Sequence, residues 1–577
     1  MSSEVSQQIN TGEIVARFLE AQGVRAAFGV ISIHNMPMLD AFYRRGIIRF
    51  ISARGEAGAC NMADAAARVS GTLGVVVTST GTGSGNAAGA LVEAMTAGTP
   101  MLHLTGQIDS EWIDKNWGFI HEHPDQLGML KAVGKGAFRI ESPAQAWEVL
   151  TRAAQLARTP PCGPVSVEIS IDVQQAFLDE NKLQALIESA PNAIDLIVKK
   201  KPHPEHIQQL AQALRSAQRP LLWLGGGARD AVAPVARLMA MGIGVVTSVQ
   251  GRGVVAEDRP GTLGAFNLQR ASAALYQRCD AMVIVGSRLR SNETMKYKLA
   301  LPAKRYRIDA NPAVQTQAYS CEQFIEADAT LALDALADAL QGYQAEGTWF
   351  AEIQTARTAA EAQVDATLAQ YVDLKNALNQ VVREQLAGQC IWARDITLSN
   401  TMWGNRSLVL RHPRAGVHAL GGGIGQGLQM GMGAALGAEI YKDKQPLALT
   451  KSAPSAIKTI VLAGDGGFML NVGELACAVQ EQADVLVILM NDGGYGVIKN
   501  IQDADYGSRH CYVDLHTPDF SQLCASIGVR HFKSTDPARI EAQLVEALQG
   551  RGPTVLEVDM KAWGPFNEKF AGPQRKL

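Results

Sequence analysis

A chain of 577 residues is too long for one hydrophobic core, and ordinary domain sizes divide it into three or four units. Its 47% hydrophobic and 19% charged residues suit a globular protein and exclude a disordered or fibrous one. The formal net charge of -3, with no long run of Lys or Arg, excludes a row of phosphate contacts and with it nucleic acid as an expected partner.

The first stretch alternates short β-rich runs with helical ones: Val24 to Val30, Arg49 to Ala53, Leu73 to Ser79, Met101 to Thr105 and Val165 to Ile169. Such alternation predicts an α/β fold, a parallel sheet covered by helices. A polar segment, Asp179 to Pro204, with Lys199-Lys200-Lys201 inside it, reads as a linker. The pattern resumes with Pro220 to Leu224, Gly244 to Val249, Ala281 to Val285 and Arg305 to Ile308. An Ala-rich helical stretch over 327–368 leads to strands at Lys458 to Leu462, Val485 to Met490 and Thr554 to Val558. Three α/β units are expected, over 1–185, 190–345 and 355–577. The polar loop Lys442 to Ser455 reads as a surface insertion.

The start, Met-Ser-Ser-Glu-Val-Ser-Gln-Gln, has neither a basic nor an apolar leader region, and no run of about 18 apolar residues could span a bilayer. The eight cysteines, at 60, 162, 279, 321, 390, 477, 511 and 524, form no CxxC or CxxH pair and read as buried thiols in a reducing compartment. A cytoplasmic protein with no membrane partner is expected.

The strongest chemical signal is Gly464-Asp465-Gly466-Gly467-Phe468 after the apolar run Thr459 to Ala463, with Asn491-Asp492-Gly493 after the next strand. Ligands bind at the carboxyl ends of parallel strands, so Asp465 and Asn491 can face one site. A hard divalent cation takes a carboxylate, an amide oxygen and a backbone carbonyl, which Asp465, Asn491 and Gly493 supply, with diphosphate oxygens completing the octahedron. An Asp-Gly turn alone is a common loop feature. Paired with Asn 26 positions later, it resembles the thiamine diphosphate binding motif.

The resemblance covers nearly the whole chain and is to the acetohydroxyacid (acetolactate) synthase, benzaldehyde lyase and benzoylformate decarboxylase family, with pyrimidine-binding, central and diphosphate-binding domains in that order. In Arg54-Gly55-Glu56-Ala57-Gly58-Ala59, Glu56 matches the glutamate that touches N1' of the aminopyrimidine, normally from the neighbouring subunit. Sharing a proton with that nitrogen stabilises the imino tautomer, whose nitrogen deprotonates thiazolium C2 to the ylid that attacks a substrate carbonyl. Leu420-Gly-Gly-Gly-Ile424-Gly-Gln-Gly427 matches the turn under the bent coenzyme, with Ile424 as wedge and the Gly422 carbonyl on N4'. Its glycines do not fit a GxGxxG fingerprint. Gly81-Thr-Gly83-Ser-Gly85-Asn86 is implied to be an active-site turn near Glu56. Ser399 and Asn400, in Asp395-Ile-Thr-Leu-Ser-Asn-Thr-Met-Trp403, match the polar pair that holds the diphosphate, and could equally cap a helix. Gly466, Gly467 and Tyr495 complete the implied coenzyme contacts.

Specificity is expected on the first unit and beyond Asn491. His34, in Phe28-Gly-Val-Ile-Ser-Ile-His34-Asn35, matches the histidine that benzaldehyde lyase presents to substrate, and a neutral imidazole there could shuttle protons. His121 falls where synthases and lyases of the group carry glutamine, and is taken as a second catalytic candidate. His123 is a loop residue. The chain lacks an adjacent His-His pair like that of pyruvate decarboxylase, and Ser79 stands at one benzoylformate decarboxylase histidine. Val497, Ile498 and Ile501 read as apolar pocket lining, and Ile501 replaces a tryptophan of the synthases. Gly225 to Ala228, Gly286-Ser-Arg288 and Asp328 lie where synthases and oxidases of the family hold FAD, and where other members bind ADP or nothing.

The resemblance implies thiamine diphosphate and magnesium as cofactors, FAD remaining open, in a homodimer or homotetramer. The expected reaction is a 2-oxo acid decarboxylation or carboligation like that of acetolactate synthase. Alternatives are cleavage of 2-hydroxy ketones, a flavin-dependent pyruvate oxidase-like oxidation, and coenzyme binding without turnover.

Overall fold

Three six-stranded sheets carry the chain, and the first and third share one strand order. The first runs Arg49–Ser52, Ala26–Gly29, Gly74–Thr78, Met101–Gln107, Pro164–Ser170, Gly136–Ile140 across the sheet. The third runs Gly416–His418, Ile391–Arg394, Thr459–Gly464, Val485–Asn491, Thr554–Asp559, Arg530–Ser534. Numbered along the chain, both read 2-1-3-4-6-5, whereas the central sheet, strands Pro220–Leu224 to Gln323–Glu326, reads 3-2-1-4-5-6. Every pairing inside the three sheets is parallel. The fold is α/β in all three units. The computed structural model describes residues 8–190, 193, 196–443 and 457–570, so most of the loop Lys442 to Ser455 lies outside the described residues.

The central strands are continuous apolar runs because helices cover both faces. Val75, Val76 and Val77, and likewise Ile460 to Ala463 and Val485 to Leu489, are wholly buried. Helix Glu56–Ser70 of the first unit lies against helix Gly427–Ile440 of the third, and one apolar core runs across both. Small residues allow this approach: a Cβ on Gly433 would sit 2.1 Å from the Met62 carbonyl oxygen. Gly433→Ala should therefore cost about 1–3 kcal/mol through overpacking. Thermal melting checks this, and an unchanged transition would contradict it.

The structure departs from the sequence expectation at several points along the chain. Asp179 begins no open linker: its carboxylate caps helix Glu180–Ser189 by accepting from the amides of Asn181 and Lys182, and Leu183 is buried against the first unit. The stretch 327–368 breaks into Ala329–Ala339 and Trp349–Leu368. Trp349, Ile353 and Ala356 of the second helix pack on the central unit while Ala360, Val364 and Leu368 pack on the third, so a rigid helix joins them. Gly464 to Phe468 is not an open turn, since Asp465–Leu470 is already helix.

All eight cysteines are free, and Cys60, Cys279, Cys390, Cys477 and Cys524 are buried. No helix among the described residues is long and apolar enough to cross a membrane.

Candidate active site

Strand order reverses in the third sheet between Ile391–Arg394 and Thr459–Gly464, and the crevice beyond such a switch point is where open α/β sheets bind ligands. Asp395 and Asp465 follow directly on those two strands. Because Gly464 pairs with Met490, Asp465 and Asn491 emerge side by side.

Asp465 is buried; its Oδ1 accepts from the Asp492 amide at 3.4 Å, and its Oδ2 has no partner among the described residues. Burial first, and then the Asp492 charge, raise its pKa. Asn491 donates its Nδ2 to Glu557 at 2.8 Å, which turns Oδ1 toward the Gly493 amide at 3.2 Å. Glu557 is itself held by His531 at 3.0 Å and by Lys533. The Gly493 carbonyl accepts from the Leu515 amide at 3.0 Å and keeps one lone pair for another partner. Gly466 lies under Tyr495, whose ring carbon would be 2.7 Å from a Cβ there.

Ser399 and Asn400 open a short π-helical turn, Asn400–Gly404, but neither side chain caps it. Thr397 does so, its hydroxyl accepting from the Asn400 amide at 3.0 Å. Ser399 Oγ and Asn400 Oδ1 stay buried without partners among the described residues.

The turn Leu420 to Gly425 is gripped at its far end by Asp395, whose carboxylate accepts from the Gly425 amide at 3.0 and 3.1 Å, and by Asn471, which donates to the Gly425 carbonyl at 2.9 Å. Burial raises the Asp395 pKa to about 6 against the pull of backbone amides that bond it. Gly422 takes φ +86° with open space where a Cβ would stand, and Ile424 is 40% exposed.

A second group of residues lies at the switch point of the first sheet, beyond Ala26–Gly29 and Gly74–Thr78. Glu56 opens its helix half-buried, with Asn86 Nδ2 donating to it at 3.1 Å. Glu474 of the third unit holds that helix start by accepting from the Arg54 amide at 3.0 Å. His34 is buried, its Nδ1 unpartnered among the described residues, and its ring meets the exposed His121 ring edge-on at 5.0 Å. Burial, then the neighbouring His121, lower the His34 pKa, keeping the imidazole neutral. His121 adopts φ +69°, an unfavourable region for a residue with a Cβ, with its carbonyl against Gly81. His123 accepts from the Asp125 amide and serves its loop.

The structure thus gathers Glu56, His34 and His121 at one sheet end, and Asp465, Asn491, Gly493, Ser399, Asn400 and Tyr495 at another. No hydrogen bond or ion pair joins Glu56 to the second group among the described residues. Val497, Ile498 and Ile501 lie on helix Gly496–Asp505, which buries no residue within the single chain. Sequence reasoning assigned no role to Asp395, Glu557 or Glu474. A charged residue inside the buried strand Thr554–Asp559 was the available signal for Glu557.

In the central sheet the 3-2-1-4-5-6 order places Gly225 and Gly286 at the reversal, where dinucleotides bind in sheets of this order. Gly225 and Gly227 lie directly on the Gly286 backbone, and Asp328 caps helix Ala329–Ala339.

Comparison with known proteins identifies the class. The descriptions "Thiamine pyrophosphate enzyme, N-terminal TPP binding domain", "central domain" and "C-terminal TPP binding domain" match residues 9–129, 207–336 and 399–558. The chain belongs to the thiamine pyrophosphate enzymes. A probable acetolactate synthase large subunit of Methanocaldococcus jannaschii is 28% identical over 566 residues, 95% of this chain and 91% of the relative. The acetolactate synthase isozyme 2 large subunit of Escherichia coli is 27% identical over 560 residues, 96% of each chain. A probable 2-ketoarginine decarboxylase of Pseudomonas aeruginosa is 28% identical over 554 residues, 95% of this chain and 94% of the relative. This chain is a thiamine diphosphate-dependent enzyme of carbon–carbon bond chemistry that resembles acetolactate synthase.

Proposed function

We propose that the protein decarboxylates a 2-oxo acid and transfers the remaining acyl unit to a proton or to a carbonyl acceptor. Asp465, Asn491 and the Gly493 carbonyl hold Mg2+, and Ser399 and Asn400 meet the diphosphate. The observation that carries this reading is the convergence of unpartnered buried oxygens on Asp465, Ser399 and Asn400 at one switch point, beside an Asn491 oriented by Glu557. Such groups are costly to bury without a ligand. Thiamine diphosphate, when bound, supplies a nucleophilic thiazolium carbon and an electron sink.

The chain's own residues do the rest. Glu56 holds a proton at the aminopyrimidine, Gly422 presents its carbonyl to the amino group, and Ile424 fills the space beneath the rings. His34 and His121 face the substrate side, where a neutral imidazole moves a proton to or from the substrate oxygen. Val497, Ile498 and Ile501 exclude water from that side. The domain limits 1–185, 190–345 and 355–577 belong to the same reading.

A second copy of the chain completes each site. Ile31, Ile33, Trp117 and Ile120 are exposed around the histidine pair, and Ile424, Leu470 and Ile498 are exposed around the other group. Facing these two apolar surfaces across a two-fold axis buries both and brings Glu56 of one subunit to Asp465 of the next. The relatives named as large subunits leave room for a further chain in the assembly. FAD in the central crevice is a second reading, favoured by the 3-2-1-4-5-6 order, and a flavin absorption band in the purified protein tests it.

The deciding experiment incubates the enzyme with pyruvate, benzoylformate and benzoin, with coenzyme and magnesium, and identifies products by mass spectrometry. Carbon dioxide with an aldehyde or a 2-hydroxy ketone product is expected from a 2-oxo acid. Cleavage of benzoin alone would favour the lyase alternative, and no product with clear thermal stabilisation by the coenzyme would favour binding without turnover.

A further inference from the structure

We propose that Glu93, acting from the first unit, is a positioning residue that sets the coenzyme turn Leu420 to Gly425, with Arg290 of the central unit as its counterpart. This rests on the reading of Gly422 and Ile424 as coenzyme contacts, and goes beyond it by saying what aims them.

The geometry is specific. Both oxygens of Glu93 are used on the turn: one accepts from the Leu420 amide at 2.7 Å, the other from the Gly421 amide at 2.5 Å. Arg290 donates to the Leu420 carbonyl, so the same peptide is gripped from opposite sides by two other units. Glu93 is itself fixed from behind. Arg68 donates to it at 3.1 Å, to Asp64 at 2.8 Å and to the His418 carbonyl at 2.7 Å, and Glu93, Arg68 and Asp64 are all buried. Burial lowers the Arg68 pKa, but Asp64 and Glu93 attract its charge and the net shift is upward, so the triad stays ionised at Arg68.

The consequence is a turn fastened at both ends. Glu93 and Arg290 hold Leu420 and Gly421, Asp395 and Asn471 hold Gly425, and the segment between them, Gly422 to Ile424, forms no hydrogen bond among the described residues. Charge-assisted bonds from a buried carboxylate to two successive amides fix direction as well as position. Asn86, which binds Glu56, precedes Glu93 by two turns on the same helix, Thr82–Ala97, so one helix face holds Glu56 for one site of the assembly and the turn for another.

The test uses the full-length protein with four variants. In Glu93→Gln one acceptor oxygen becomes an NH2 group that faces a backbone N–H. It should lower kcat about 100-fold, the loss that a displacement of about 1 Å produces, with substrate KM changed less than about 3-fold. Faster amide exchange at Leu420 and Gly421 is expected in the coenzyme-free protein. Glu93→Asp keeps both oxygens and should recover most of the loss in kcat and in exchange protection. Arg290→Ala should speed exchange of the same segment, and it carries the test by the same readouts should Glu93→Gln fail to fold.

Glu93→Gln within about 3-fold of the parent in kcat, or losing kcat with Leu420 and Gly421 exchange unchanged, overturns the proposal. Ile424→Ala separates the two levels. If it leaves turnover and coenzyme affinity intact, the coenzyme reading of the turn falls and this inference with it; if it impairs them and Glu93→Gln does not, the role of Glu93 alone falls.

Discussion

Asp465→Asn is expected to abolish thermal stabilisation by thiamine diphosphate with magnesium while leaving the unliganded protein at least as stable as the parent. The two halves have separate causes. A ligand present at about 100 times its Kd stabilises the folded state by about 2.7 kcal/mol, and the parent should show a gain of that order. The proposed magnesium ligands leave little redundancy, because Asp465 is their carboxylate and hard cations discriminate strongly for charged oxygen. Asparagine keeps the shape and forfeits the charge, so the gain should vanish across ordinary coenzyme concentrations.

Without ligand, the sign is opposite to the usual loss at a core position. Asp465 is buried beside Asp492, both pKa values are raised, and Asp465 Oδ2 is unpartnered among the described residues. Removing the buried one of two neighbouring carboxylates relieves a cost that the cation would otherwise relieve. Melting curves with and without coenzyme and magnesium check both halves. A parent-like ligand shift in the variant would remove Asp465 from the metal site, and a large loss of unliganded stability would mark it as a structural residue.

What the sequence disclosed and what it hid divide along a physical line. Strands buried on both faces, such as Gly74–Thr78, Pro220–Leu224 and Val485–Asn491, are uninterrupted apolar runs, and their positions were legible within a residue or two. Apart from Arg49–Ser52, edge strands were not: Gly136–Ile140 carries Arg139, and Arg530–Ser534 carries His531 and Lys533, because one side of each is free of a neighbour. Ile391–Arg394 escaped notice although it is internal, being four residues long and ending in a buried Arg394. At the site, residue types with metal or proton chemistry stood out by motif. The residues that orient them did not, since Glu557, Glu474, Glu93 and Asp395 act across 66, 420, 327 and 30 positions of sequence. Distances of that kind exist only after folding.

Glu56→Gln should lower turnover by about 10²–10⁴-fold, the usual contribution of a positioned acid–base group, with coenzyme affinity nearly unchanged. Glutamine can still hydrogen-bond the pyrimidine nitrogen, and Asn86 can still bond the side-chain oxygen, so binding survives. It cannot carry the proton that the ring nitrogen must share. Because no hydrogen bond or ion pair joins Glu56 to the Asp465 group among the described residues, the same variant also tests the assembly. Co-expressed Glu56→Gln and Asp465→Asn chains form hybrid dimers in which one site has both defects and the other has neither. Random pairing makes half of the dimers hybrids, so the mixture should recover about a quarter of parental activity, although each variant alone is nearly inactive. Titrating coenzyme during steady-state assays separates loss of turnover from loss of binding. A mixture no more active than its parts would show that each chain completes its own site.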